Sequence, residues 1–153
     1  MIFGHPPPVP SPLRDNLVQR LAYLNNFLRV GLDDYFTVNA QSDRDMCKIH
    51  LQHYIGHVEG LVASLAQNPE GYTDQVLMDI PVCVVEQETS TAEWFTVVGP
   101  DEVNTAMGCI SVLSPLGSAL LLKRVNEVVE LNAPGGRYLY RIGTIGHVRP
   151  EGY

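Results

Sequence analysis

The sequence contains no CxxC pair, and its three cysteines, Cys47, Cys83 and Cys109, are odd in number and far apart. That spacing excludes a cysteine-rich zinc module and predicts reduced thiols in a cytosolic protein. Positive charge is scarce: 10 Lys and Arg stand against 17 Asp and Glu, a net charge of −7. Neutralising phosphates needs clustered Lys and Arg, so direct nucleic-acid binding is disfavoured and a partner with basic surfaces fits better. No stretch approaches the ~18 apolar residues of a membrane helix. The start, MIFGHPPPVPSP, has neither the basic region nor the apolar run of a signal peptide. These absences predict a soluble, cytoplasmic chain without a membrane partner. GxGxxG, P-loop, GxSxG and HExxH patterns are also missing, so no cofactor held by the chain alone is expected. What is present is a hydrophobic content of 45%, enough for a packed core. The 153 residues suit one ordinary domain or two small parts.

Residues 1–10 hold four prolines and read as an extended tail. Ser11-Pro12 has the chemistry of a helix start, with Ser as N-cap and Pro at the first helical position. Leu13, Leu17, Leu21, Leu24 and Leu28 then form one helical stripe, and Gly31 is positioned to let the chain reverse. A loop over 31–41 follows. Ser42 with Asp45 reads as a capping-box-like start of a second helix, whose apolar face is Cys47, Leu51, Tyr54, Val58, Leu61, Val62 and Leu65. Asn68-Pro69 ends it, since a residue before proline resists the helical region. Two amphipathic helices near 12–30 and 43–67 bury their stripes by packing as an antiparallel hairpin, a short coiled coil over 11–68.

After a polar linker at 70–74 the apolar period becomes strand-like. Strands are predicted near 79–88, 93–98, 108–113, 127–132 and 137–145. Turns fall at Thr89-Ser90-Thr91 and Pro134-Gly135-Gly136, and a short helix at 114–123 is capped by Ser114 with Pro115 at its first position. The fold class is therefore α+β, a helical hairpin followed by a small sheet domain over 75–149.

Four segments in this second part resemble, in order and spacing, the C-terminal domain of the bacterial Gre transcription factors. They are Gly99-Pro100-Asp101-Glu102, Ile110-Ser111-Val112-Leu113-Ser114-Pro115-Leu116-Gly117, Ala119-Leu120-Leu121 and Ala133-Pro134-Gly135-Gly136. The resemblance implies an FKBP-like antiparallel sheet with one short helix, and bacterial RNA polymerase as partner. It also implies a hairpin directed into the polymerase secondary channel and no enzymatic activity of the chain's own. It assigns polymerase contact to Ser114, Pro115, Leu116 and Gly117, since in Gre proteins the segment entering this helix helps contact a coiled coil at the channel rim. In Gre factors that stimulate transcript cleavage, acidic tip residues help hold a magnesium ion shared with polymerase, because magnesium prefers hard carboxylate oxygens. Asp33 and Asp34 are the candidates for that catalytic role here. The family spaces its acids three apart, whereas these are adjacent, and adjacent side chains do not converge on one ion; the plainer alternative is that Asp33 and Asp34 solvate a turn or cap a helical segment. The family also has glycine where this chain has Leu122, and a Gly-Asp pair where it has Asn126-Glu127, which suggests altered backbone geometry. Basic residues that could meet RNA are few on the first helix, namely Arg14, Arg20 and Arg29, so nucleic acid is met only through polymerase.

Three further readings stand beside this one. The short hairpin is similar to that of Rnk-type Gre homologues, which implies competition with cleavage factors or an influence on nucleoside diphosphate kinase. An FKBP-like topology raises peptidyl-prolyl isomerase activity, for which Trp94, Phe95, Tyr138 and Tyr140 are the available aromatics; fold does not imply that activity. His50, His53 and His57 share one flank of the second helix, and His53 with His57 at i, i+4 matches a zinc pair. A polar helix flank is the plainer reading, and no metal is expected there. Tyr35 and Phe36 form either a contact patch or a cover over the hairpin end. The chain is expected to act as a monomer.

Overall fold

The computed structural model describes residues 12–36, 41–68 and 74–146. The chain divides into two compact units, Met1–Tyr72 and Thr73–Tyr153.

The first unit is two helical arms. Helix α1, Pro12–Asn26, runs into a π-helical turn, Phe27–Gly31, and a last turn, α2, Leu32–Tyr35. Helix α3, Gln41–Gln67, is the second arm and packs against α1. Leu17, Leu24 and Leu32 from one arm and Leu51, Tyr54, Ile55, Val58 and Leu65 from the other are buried. Fully burying such a side chain is worth about 1.5–3 kcal/mol. The stripe does not stop at Leu28 as the sequence suggested, because Leu32 carries it on. Gly31 stays in the right-handed helical region, with φ −82° and ψ −28°, and does not reverse the chain. Leu24 and Leu32 are eight positions apart, ~80° out of line on an ideal α-helix. A turn that absorbs one extra residue brings them to within ~20°. The ring of Phe27 covers Gly31, where a Cβ would lie 2.7 Å from Phe27 Cδ1. At the other arm α3 begins at Gln41, so Ser42 lies inside its first turn and is not the cap. Ser11 lies outside the described residues.

The second unit is a five-stranded sheet with one short helix. Strands β1 (Val82–Glu86), β2 (Ala92–Val98), β3 (Cys109–Ser111), β4 (Val128–Ala133) and β5 (Gly136–Ile145) lie in the order β3-β2-β1-β5-β4. All neighbouring pairs are antiparallel except β2 with β3, which is parallel. The predominantly antiparallel sheet is as expected, with one parallel pair added at its β3 edge. Two 3-10 turns, Pro100–Glu102 and Thr105–Met107, fold the connection back so that β3 leaves in the direction of β2. Gly108 closes this loop at φ +73°, where a Cβ would meet the Trp94 carbonyl oxygen at 2.6 Å. The β1–β2 turn is held by Glu86, whose carboxylate accepts from the amides of Glu88 at 2.8 Å and Thr89 at 3.1 Å. The Glu88 amide bond holds the Glu86 carboxyl below its ordinary range. Helix α4, Pro115–Leu120, packs on β3 and β4. Val82, Val84, Val97, Val112, Leu120 and Ile142 fill the core between them.

Leu122 has φ +67° and Asn126 φ +76°. Left-handed geometry, which glycine adopts readily, is therefore present at both places without glycine. Asn tolerates this region, whereas for Leu it stores strain of about 1–2 kcal/mol. Flanking bonds hold it in place: the Leu122 amide donates to the Val76 carbonyl at 2.7 Å, and Gln75 Nε2 donates to the Leu122 carbonyl at 3.0 Å. At the second turn the Arg124 amide donates to Glu127 Oε1 at 2.7 Å.

Candidate functional site

Two regions bring candidate residues together, one in each unit. The first is the turn into α4. Ser114 Oγ accepts from the Gly117 amide at 3.0 Å and donates to the Ser111 carbonyl at 2.7 Å. Pro115 occupies the first helical position. Gly117 is buried, and a Cβ there would collide with the Ser111 carbonyl oxygen. Ser114 and Gly117 therefore shape the turn, while Pro115 is exposed on it and Leu116 is half-buried.

Beside this turn lies an open groove of about 440 Å³ lined by Val103, Ile110, Ser111, Ser114, Pro115, Leu116, Leu131, Asn132, Ala133 and Pro134. Its walls are almost wholly apolar. Val103 is 45% exposed, and Met107 in the same loop is 72% exposed. Apolar side chains at such exposure, gathered around a concave surface, mark a contact site more often than isolated exposure does. Sequence reasoning found the Ser114–Gly117 edge and missed Val103 and Leu131. Ala133 and Pro134 were read as part of a family-like segment and a hairpin turn, not as a contact surface. An apolar Val103 within the polar run Asp101-Glu102-Val103-Asn104 was the available signal. No aromatic residue lines the groove, so Trp94, Phe95, Tyr138 and Tyr140 are not part of it.

The second region is the end of the helical arms. Asp33 and Asp34 lie on α2, the last turn of the first arm, rather than in a loop. Adjacent positions on a helix diverge by ~100°. Asp33 pairs with Arg44 from the start of α3, and Asp34 is exposed with no ion pair among the described residues. Tyr35 is exposed and packs edge-on against Phe36 at 5.0 Å between ring centroids. Buried Leu32 anchors the turn from below. Among the described residues no three His, Cys, Asp or Glu side chains gather closely enough to hold a metal ion. Among the described residues the two tip carboxylates do not converge: Asp33 is engaged by the Arg44 guanidinium, and Asp34 lies ~100° further round the turn.

Among the described residues, His50, His53 and His57 belong to no metal-ligand cluster. His53 and His57 are exposed on α3, while His50 is half-buried and its Nε2 has no hydrogen-bond partner. Burial pushes the His50 imidazole below its ordinary range, and His53 adds to that.

Residues 70–147, half of the chain, match the family model described as transcription elongation factor, GreA/GreB, C-term. The chain belongs to the Gre family. Among curated proteins, this Gre-family chain is similar to the transcription elongation factor GreA of Bartonella tribocorum, at 28% identity over 109 residues, 71% of this chain and 66% of that protein. It is similar also to the GreA of Nitratidesulfovibrio vulgaris, at 39% identity over 69 residues, 45% of this chain and 43% of that protein. In both alignments the chain spans less than two thirds of the relative's length. A solved prokaryotic transcription elongation factor GreA/GreB from Nitrosomonas europaea is 30% identical, with 57% of this chain and 78% of that chain covered and a TM-score of 0.45. The matched region contains the whole groove. No helix among the described residues is long and apolar enough to cross a membrane.

Proposed function

We propose that this chain is a regulator of transcription elongation that docks on bacterial RNA polymerase through the groove beside Ser114–Gly117. On this reading it occupies the secondary channel as a monomer and stimulates transcript cleavage little or not at all. The observation that carries the reading is the groove itself, an apolar hollow whose edge is the Ser114-Pro115-Leu116-Gly117 turn of the family-matched region. A helix lays its apolar face into such a groove, with anchors on successive turns. The chain contributes contact surface and no reactive group, so any bond cleavage belongs to polymerase, and any divalent ion is polymerase's own.

Pull-down with core polymerase tests this. Wild-type chain should associate at micromolar concentration, and Val103→Asp, Ser114→Glu and Pro115→Ala should each weaken association. Val103 is exposed, so a charge there leaves the fold intact while opposing an apolar partner. Ser114→Glu needs a circular dichroism control, because loss of a helix cap costs about 1 kcal/mol. Lack of association by the wild-type chain rejects the reading. Association with nucleoside diphosphate kinase in place of polymerase would favour the Rnk-type alternative.

A further inference from the structure

Arg44 sits where helix electrostatics disfavours it. It occupies the first turn of α3, between Asp43 and Asp45, at the positive end of the helix dipole, which favours carboxylates over cations. Its guanidinium explains the placement. Nη1 donates to Asp33 Oδ1 across the two arms, and Nη2 donates to Asp45 Oδ1 of its own helix at 3.3 Å. The Arg44 side chain is 29% exposed and that of Asp33 68% exposed, so the more enclosed partner is the cation, and it is tethered by two acids.

The inference rests on the reading of this chain as a polymerase regulator that occupies the secondary channel. We propose that Arg44 is a positioning residue that withholds Asp33 from the tip and leaves Asp34 as the one α2 carboxylate presented outward. Two physical effects act together. A hydrogen bond to a charged donor engages an Asp33 oxygen that a hard cation would need. The guanidinium also places a positive charge beside any approaching divalent ion, and at this range, well inside a Debye length, salt screens that repulsion incompletely. The tip then keeps a helical end suited to filling a channel without offering the converging carboxylates that hold a shared ion. Low cleavage stimulation follows from a contact within this chain and not only from the adjacency of its acids.

The test is a double-mutant cycle on the full chain with Mn²⁺ as probe, reading free Mn²⁺ by electron paramagnetic resonance. Arg44→Gln should tighten Mn²⁺ binding about fivefold or more, since it frees a carboxylate and removes a nearby positive charge. Asp33→Asn alone should leave the weak wild-type affinity unchanged. Arg44→Gln with Asp33→Asn should lose most of the gain. That dependence on Asp33 separates a freed ligand from a general change in net charge. Equal affinity of wild type and Arg44→Gln, or a gain that persists without Asp33, overturns the proposal. Pull-down with core polymerase is read on the same proteins. Its failure removes the functional reading, while the Mn²⁺ cycle still decides what Arg44 does to Asp33.

Discussion

Replacing Gly117 by alanine should destabilise the sheet unit, while the same replacement at Gly60 should stabilise the helical arms. A Cβ on Gly117 falls against the Ser111 carbonyl oxygen, a backbone atom that moves only with β3, and also lies 2.9 Å from Ser114 Oγ. Overpacking of a closed site costs about 1–3 kcal/mol. Displacing Ser114 Oγ from the Gly117 amide, a 3.0 Å cap bond, adds about 1 kcal/mol. Alanine returns up to about 1 kcal/mol through its higher helix propensity. The net loss is roughly 1–3 kcal/mol. A Cβ at Gly60, inside α3, meets no atom within 4 Å, so only the propensity remains and the chain gains about 0.5–1 kcal/mol. Trp94, the only tryptophan, lies in β2 and reports on the sheet unit, while far-UV circular dichroism follows the arms. With a urea m-value of about 1–2 kcal/mol/M, Gly117→Ala should lower the fluorescence midpoint by about 1 M. A Gly117→Ala midpoint at or above wild type would refute the claim that the Ser111 carbonyl fixes this turn, and with it the geometric reason for glycine beside the groove.

The left-handed backbone at Leu122 predicts that Leu122→Val is less stable than Leu122→Gly by at least about 1 kcal/mol, because a β-branched residue fits φ > 0 worse than any other; thermal unfolding followed at Trp94 would show the opposite order if the turn were relaxed. His50 has a depressed pKa through burial first and His53 second, so the unfolded chain takes up its proton near pH ~6.5 before the folded chain does. Stability of the arms should be full above that pH and decline as pH falls toward the folded value; His50→Gln should flatten the decline, and an unchanged slope in urea melts would sink the assignment. In backtracked elongation complexes the wild-type chain should compete with an authentic cleavage factor and stimulate little cleavage itself. Strong cleavage that disappears in Asp33→Asn/Asp34→Asn would show that both tip acids are deployed.

Element type followed from period because each unit buries one face. The arms were legible from Leu17, Leu24, Leu51, Val58 and Leu65, and the sheet from alternation in 82–86 and 136–145. Gly31 misled because glycine after a leucine stripe is a common helix stop. Here the wider turn over Phe27–Gly31 keeps Leu32 on the buried stripe, and burial of one more leucine outweighs the cost of glycine within a helix. The same extension moved Asp33 and Asp34 from a loop onto a helical turn, which set them within reach of Arg44. That ion pair was not legible, since Arg44 in the run Ser42-Asp43-Arg44-Asp45 has carboxylates on both sides and local sequence gives no reason to prefer one eleven residues away.

The groove escaped notice for a different reason. Its walls come from the β2–β3 connection, β3, the α4 turn and the β4–β5 hairpin, and only the sheet order β3-β2-β1-β5-β4 with α4 packed on β3 and β4 gathers them. Ser114 and Gly117 were legible because their bonds are local; Val103 and Leu131 were not, because each is an ordinary apolar residue until the other is beside it. A local motif therefore fixed the position of the candidate contact site, and long-range pairing supplied the surface with which a partner would bind. The same division separates the substitutions: changes at Ser114 and Gly117 act through the fold of the turn, and a change at exposed Val103 acts through the partner. An effect on polymerase association from Val103→Asp with unaltered thermal unfolding would thus isolate the surface from the scaffold that builds it.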